Sequence, residues 1–206
     1  RGCPAPAADF VFGWHRAVDP ATASEYSYML SDIGQIVNAA EIIAGEKPVT
    51  DLGVSAVDDK TLEVQLNVPV SYFLSLMYFP TFYPVNEAFY NSCADTFGTS
   101  PDTVLSNGAF KLTDYQPAAT AFTLEKNPDY YDADKIALDS LAYQVIKDSQ
   151  QALMSYQTGA LDMTLLNGEQ VDQVKDDPEF TSVGAGYLWY LSPNMAGVPE
   201  LAHEDP

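Results

Sequence analysis

The chain has 206 residues, 47% of them hydrophobic, which is enough apolar material for one large domain or two smaller ones. Nine basic residues stand against 29 acidic ones, a formal net charge of −20. That balance excludes nucleic acid as a partner, because a phosphate backbone must be neutralised by Lys and Arg, and it disfavours anionic membrane surfaces for the same reason.

The acidity is spread along the chain and reads as a solvated surface. Cys3 and Cys93 have no CxxC spacing. They read equally as one disulfide in an oxidising compartment or as two thiols. No signal peptide or membrane span is found. The abrupt opening at Arg1-Gly2-Cys3-Pro4 and stop at His203-Glu204-Asp205-Pro206 lead us to expect a piece of a longer protein.

In chain order, Phe10, Trp14 and Ala17/Val18 predict a helix over 9–18 that ends before Asp19-Pro20. Ile33, Ile36, Val37, Ala40 and Ile43 predict a second helix over 32–44, with Ser31 as N-cap and Gly45 after its end. A hairpin follows: Val54 and Ala56, a turn at Asp58-Asp59-Lys60, then Leu62, Val64 and Leu66 in alternation.

Residues 64–86 then run for 23 positions without a charge or a histidine, with six aromatics and three prolines. Interior prolines exclude a spanning helix. The stretch is expected to continue the second hairpin strand through an aromatic turn. Residues 87–106 predict a helix and a loop. Strands are expected at 109–113, 121–126, 141–147 and 161–165. Helices are expected at 149–158, with Asp148 and Gln151 in capping positions and Gly159 as stop, and at 169–175. The change in texture near residue 85 predicts an internal boundary.

Catalysis finds little support. His15 and His203 have no nucleophile to pair with, and GxSxG, P-loop, GxGxxG and HExxH motifs are absent. A calcium loop begun at Asp129 or Asp132 lacks the glycine at its sixth position and the glutamate at its twelfth. No catalytic residue, metal ligand or cofactor is assigned. The aromatics are the better signal. Tyr26, Tyr28, Tyr83, Tyr115, Tyr130, Tyr131, Tyr187, Trp189 and Tyr190 lie in loop or proline contexts. Flat faces with a hydroxyl handle suit a cleft for varied side chains or sugars.

Several stretches together resemble one family. They are Asp9-Phe10-Val11-Phe12-Gly13-Trp14 with Arg16, Val18-Asp19-Pro20-Ala21-Thr22-Ala23-Ser24-Glu25-Tyr26, Leu52-Gly53-Val54 and Asp58-Asp59-Lys60-Thr61-Leu62-Glu63-Val64. Pro69-Val70-Ser71-Tyr72-Phe73, Phe79-Pro80, Pro84-Val85, Ser106-Asn107-Gly108-Ala109-Phe110, Glu125-Lys126-Asn127-Pro128-Asp129-Tyr130-Tyr131 and Gly159-Ala160-Leu161-Asp162 follow in order. This ordered set resembles the extracytoplasmic solute-binding proteins of peptide ABC importers, the oligopeptide- and dipeptide-binding group. Arg1-Gly2 and Pro6 depart from that pattern, which has an Asp-Gly pair and a threonine ahead of the first helix.

The resemblance implies a mixed α/β (α+β) fold of the type II periplasmic-binding-protein kind, present in part. Residues 1–85 would form an extra domain of the first lobe, 86–186 the remainder of that lobe, and 187–206 the crossover to a second lobe. It implies a monomeric, non-enzymatic receptor outside the cytoplasm, periplasmic or lipid-anchored, that hands oligopeptides to permease and ATPase subunits. Carried over position by position, the ligand contacts implied are Tyr26, Phe79, Asn167 with its neighbour Leu166, Tyr187 and Tyr190. The alternative is a carbohydrate- or other solute-binding receptor of the same architecture, with the tyrosines as stacking platforms.

Overall fold

The computed structural model describes residues 5–185 and Leu191. Cα packing divides the chain into two compact units, Arg1–Val145 and Ile146–Pro206. Among the described residues no helix is long and apolar enough to cross a membrane.

The first unit is organised around helix α1 (Ala7–Val18). One stripe of α1 supplies Trp14 and Val18 to a core completed by Leu30, Ile36, Ala39, Ile42, Leu52, Val54 and Phe82. Gly13 lets the helix lie close to the segment that leaves this core, since a Cβ there would sit 3.0 Å from the Tyr83 carbonyl oxygen. The same contact is tied by the Val85 amide, which donates to the Asp9 carbonyl, and by Asn86, whose Nδ2 lies 3.3 Å from both Asp9 carboxylate oxygens.

The helix expected over 32–44 is broken in two. A π-helical turn covers Met29–Ile33, and α2 is only Ala39–Ile43. Between them Gln35 (φ 55°) and Asn38 (φ 65°) enter the left-handed region, and Ile36 forms a β-bridge with Leu66. Backbone bonds explain the break. Val37 donates to Gln65, Gly53 donates to Val37, and Asn67 donates to Gln35, so this stretch joins a sheet-like strip rather than a helix ladder. Ser31 therefore caps nothing; it lies within the π turn. Gly45 does follow α2, at φ 76°.

The hairpin forms as β1 (Val54–Asp58) and β2 (Thr61–Val64), paired antiparallel with Val54 opposite Val64. Its turn is fixed by Asp58, whose carboxylate accepts from the Lys60 amide and the Thr61 hydroxyl. These bonds hold the Asp58 carboxyl below its ordinary pKa.

The uncharged stretch does not continue β2. It coils into 3₁₀ turns at Phe73–Tyr78 and Pro80–Phe82, because proline offers no amide to a ladder and favours the first position of a helical turn. Phe82 is buried there and meets Trp14 edge-on at 5.4 Å.

Helix α3 (Glu87–Cys93) starts at Asn86, whose Oδ1 accepts from the Phe89 amide. Cys93 closes it; Cys3 lies outside the described residues. Strands β3 (Phe110–Asp114), β4 (Ala121–Lys126) and β5 (Ser140–Gln144) then form an antiparallel sheet in that order. Phe122 and Tyr143, opposite one another, stack at 4.8 Å. Asn127 is buried with its side chain bridging the Gly108 carbonyl and the Asp129 amide, which locks the turn after β4.

In the second unit, α4 (Ser149–Gln157) begins at Asp148, whose carboxylate accepts from the Gln151 amide. Helix α5 (Gly168–Val174) begins at Asn167. The strand expected at 161–165 has no ladder among the described residues; these residues run without regular secondary structure between the two helices.

Candidate functional site

Tyr26 and Phe79, far apart in sequence, meet. The chain leaves α1 through Asp19, makes a 3₁₀ turn over Pro20–Thr22, and returns toward the core at Met29. Tyr26 and Tyr28 stand on this excursion with ring centroids 6.0 Å apart. Phe79 sits between the two 3₁₀ turns of the aromatic stretch, one side packed on the Trp14 core and the other 5.3 Å from the Tyr26 ring.

Exposure separates these rings from their neighbours. Tyr26 is 48% exposed and Tyr28 43%, and neither hydroxyl has a protein partner among the described residues. Tyr72 and Tyr83 are also half-exposed, but their hydroxyls donate to the Ile33 and Tyr78 carbonyls. Two open rings with unengaged hydroxyls, backed by a third ring anchored in the core, make a platform for an apolar group with hydrogen-bonding edges. Tyr28, one of the loop aromatics noted in the sequence, was not among the contacts the resemblance implied; its exposed place beside Tyr26 follows the turn at Pro20–Thr22.

Asn167 is engaged locally. Its Oδ1 accepts from the Gln170 amide, its Nδ2 donates to Ser149 Oγ, and Gln170 Oε1 accepts from the Asn167 amide in return. It joins α5 to the start of α4. Leu166 beside it lines a cavity of about 340 Å³ within the second unit, with Leu153, Met163, Leu165, Val174 and Phe180. At its rim the Tyr156 hydroxyl donates to Glu179, and the carboxylate keeps that phenol protonated above its usual pKa. Neither residue was singled out from sequence, where nothing relates them. Tyr187 and Tyr190 lie outside the described residues.

Among the described residues no group of three His, Cys, Asp or Glu side chains is placed to hold a metal. His15 is half-buried on α1 with its Nε2 unpartnered, and burial lowers its pKa.

The described elements form a mixed α/β fold, and comparison with known proteins identifies its family. The model of the bacterial extracellular solute-binding proteins, family 5, matches residues 2–204, and the chain belongs to that family. It is 40% identical over 166 residues to the periplasmic oligopeptide-binding protein OppA of Salmonella typhimurium, covering 81% of this chain and 30% of that protein. It is 38% identical over 174 residues to the probable deoxycholate-binding periplasmic protein YgiS of Escherichia coli, 84% and 32% respectively. Among solved structures, peptide-bound OppA of Listeria monocytogenes matches with a TM-score of 0.78 and 41% identity, covering 86% of this chain and 34% of that one. The fold is thus that of the OppA-type binding proteins, in part: the chain spans about a third of the length of these relatives.

Proposed function

We propose that the chain is part of an extracytoplasmic receptor that captures oligopeptides for uptake by an ABC importer. The observation that carries the reading is the Tyr26–Phe79 contact with Tyr28 beside it, an open aromatic platform in a member of the solute-binding family. An extended peptide held largely through its backbone would lay apolar side chains on these rings. Asn167, Tyr187 and Tyr190 complete the proposed contacts. The receptor performs no chemistry, and permease and ATPase subunits of the importer are its partners. Monomeric state and attachment outside the cytoplasm, free or by lipid, belong to the same proposal.

Residues 1–85 form the extra domain and 86–186 the rest of the first lobe in this reading. Its support is that every member of the Trp14 cluster, with the residues packed on it, lies between Val11 and Phe82. Mass spectrometry of ligands released from the intact protein, with calorimetry against tri- to pentapeptides, oligosaccharides and deoxycholate, tests the function. Peptides are expected in the released fraction, and Y26A or F79A is expected to weaken peptide binding about tenfold or more. Protein loaded only with sugar or bile acid, and indifferent to peptide, would sink the reading.

A further inference from the structure

A second cavity, of about 490 Å³, opens in the first unit where α1 ends, lined by Phe12, Arg16, Asp19, Thr22, Tyr90 and Asn91. Its two charged groups are of opposite sign and one turn apart on the chain. Among the described residues, neither forms an ion pair, with the other or with any third group. Arg16 instead lies against aromatic rings, its guanidinium carbon 3.9 Å from the Tyr90 centroid and 5.8 Å from that of Phe97. Those rings are themselves braced, Phe12 against Tyr90 at 5.6 Å and Tyr90 against Phe97 at 5.2 Å.

The ring contacts hold the guanidinium in place, and among the described residues its N–H fork has no acceptor. Asp19 is fixed as well, because one carboxylate oxygen accepts from the Ala21 amide, and among the described residues the other oxygen has no donor. A chain with nine basic and 29 acidic residues could neutralise an arginine cheaply, yet here both charges are kept apart across a half-buried, ring-walled space. The arrangement complements a ligand that carries both charges at short spacing: a carboxylate for the arginine fork, an ammonium for the aspartate, and a side chain for the Phe12 and Tyr90 faces.

We propose that this cavity binds the zwitterionic head of a single α-amino acid, at a site separate from the Tyr26–Phe79 platform. Arg16 takes the carboxylate through its planar fork, Asp19 takes the ammonium, and Thr22 and Asn91 supply polar edges. A receptor for peptides would then carry a second, smaller site responsive to free amino acid.

Calorimetric titration of the intact protein with L-leucine, leucinamide and N-acetyl-leucine tests it without any mutation. L-leucine is expected to bind, and the two analogues, each lacking one charge, to bind at least about tenfold more weakly, a loss of about 1.4 kcal/mol. R16Q and R16K should both weaken L-leucine by a similar factor, since lysine keeps the charge and loses the fork. D19N, which retains an acceptor for the Ala21 amide, should weaken it through loss of the ammonium contact. The paired variant Y26A/F79A should leave leucine binding within about twofold while losing peptide. Equal affinity for all three probes, no binding of leucine at about 10 mM, or loss of leucine binding in Y26A/F79A with retention in R16Q would each overturn the proposal. The two sites fail separately, because peptide titration of R16Q reads the platform alone and leucine titration of Y26A/F79A reads this cavity alone.

Discussion

Trp14 is the residue on which the first unit closes. It is fully buried, its indole nitrogen donates to the Phe82 carbonyl at 3.0 Å, and its ring meets Phe82 edge-on. Alanine there removes a large buried surface and strands a carbonyl, so W14A is expected to cost about 3–5 kcal/mol. W14F keeps one aromatic ring but loses the donor and part of the buried indole volume, and should cost roughly 1–3 kcal/mol. Urea unfolding followed by circular dichroism reads both; equal midpoints for W14F and the wild type would show the hydrogen bond to be idle. Its neighbour His15 acts through charge instead. Burial lowers its pKa below the ordinary value of 6.5, so the unfolded chain binds a proton more readily than the folded one. The neutral imidazole is fully accommodated above pH 6.5, and stability falls as the pH drops below that value through the folded pKa. H15Q is expected to flatten this acid-side loss. Stability curves from pH 7.5 to 5 that coincide for both proteins would count against it.

At the scale of elements, what sequence conveyed was whatever is decided locally. The Asp58–Lys60 turn, the Asp148 cap and the strands of the β3–β4–β5 sheet all have their reasons within a few residues of themselves. The break in the 32–44 helix does not. Ile36, Ala39 and Ile42 are buried as helical spacing requires, but the backbone between them answers to Gly53, Gln65 and Asn67, which no local pattern reveals. The candidate site shows the same division: Tyr26 and Phe79 were proposed through family resemblance and Tyr28 was noted as a loop aromatic, while their contact and the Arg16 cavity needed coordinates. Gly53 is where the long-range strip is most exposed to substitution. A Cβ would sit 2.8 Å from Val37 Cβ and 2.9 Å from the Gln65 carbonyl oxygen, both parts of the strip itself. G53A should therefore cost more than the backbone stiffening it brings, about 1–3 kcal/mol. N167A, by contrast, removes a cap from a short helix and should cost about 0.5–2 kcal/mol. Hydrogen exchange separates the two, because G53A should deprotect the amides of Val37 and Gln65 and N167A those of α5. Deprotection confined to residue 53 and its chain neighbours would argue against the strip as a unit.

Across the whole chain the dominant fact is the net charge of −20, which ion pairs such as Lys47–Glu41 and Lys111–Asp129 relieve only at isolated points. These pairs are exposed and contribute little to stability. The field they leave acts on partners at a distance. If Tyr26 and Phe79 take peptides as proposed, a negative potential should steer cationic peptides toward them and hold acidic ones off. The consequence lies in the association rate more than in the dissociation rate, because steering ends at contact. With the intact protein in stopped flow, a lysine-rich tripeptide should associate at least about tenfold faster than a glutamate-rich one at low ionic strength. The difference should shrink as the Debye length falls from about 30 Å at 0.01 M salt to about 8 Å at 0.15 M. Dissociation rates should move much less over the same range. Equal association rates at low salt would mean that charge elsewhere in the protein screens this chain's field from the platform; the discrimination would then have to come from contacts at the rings alone.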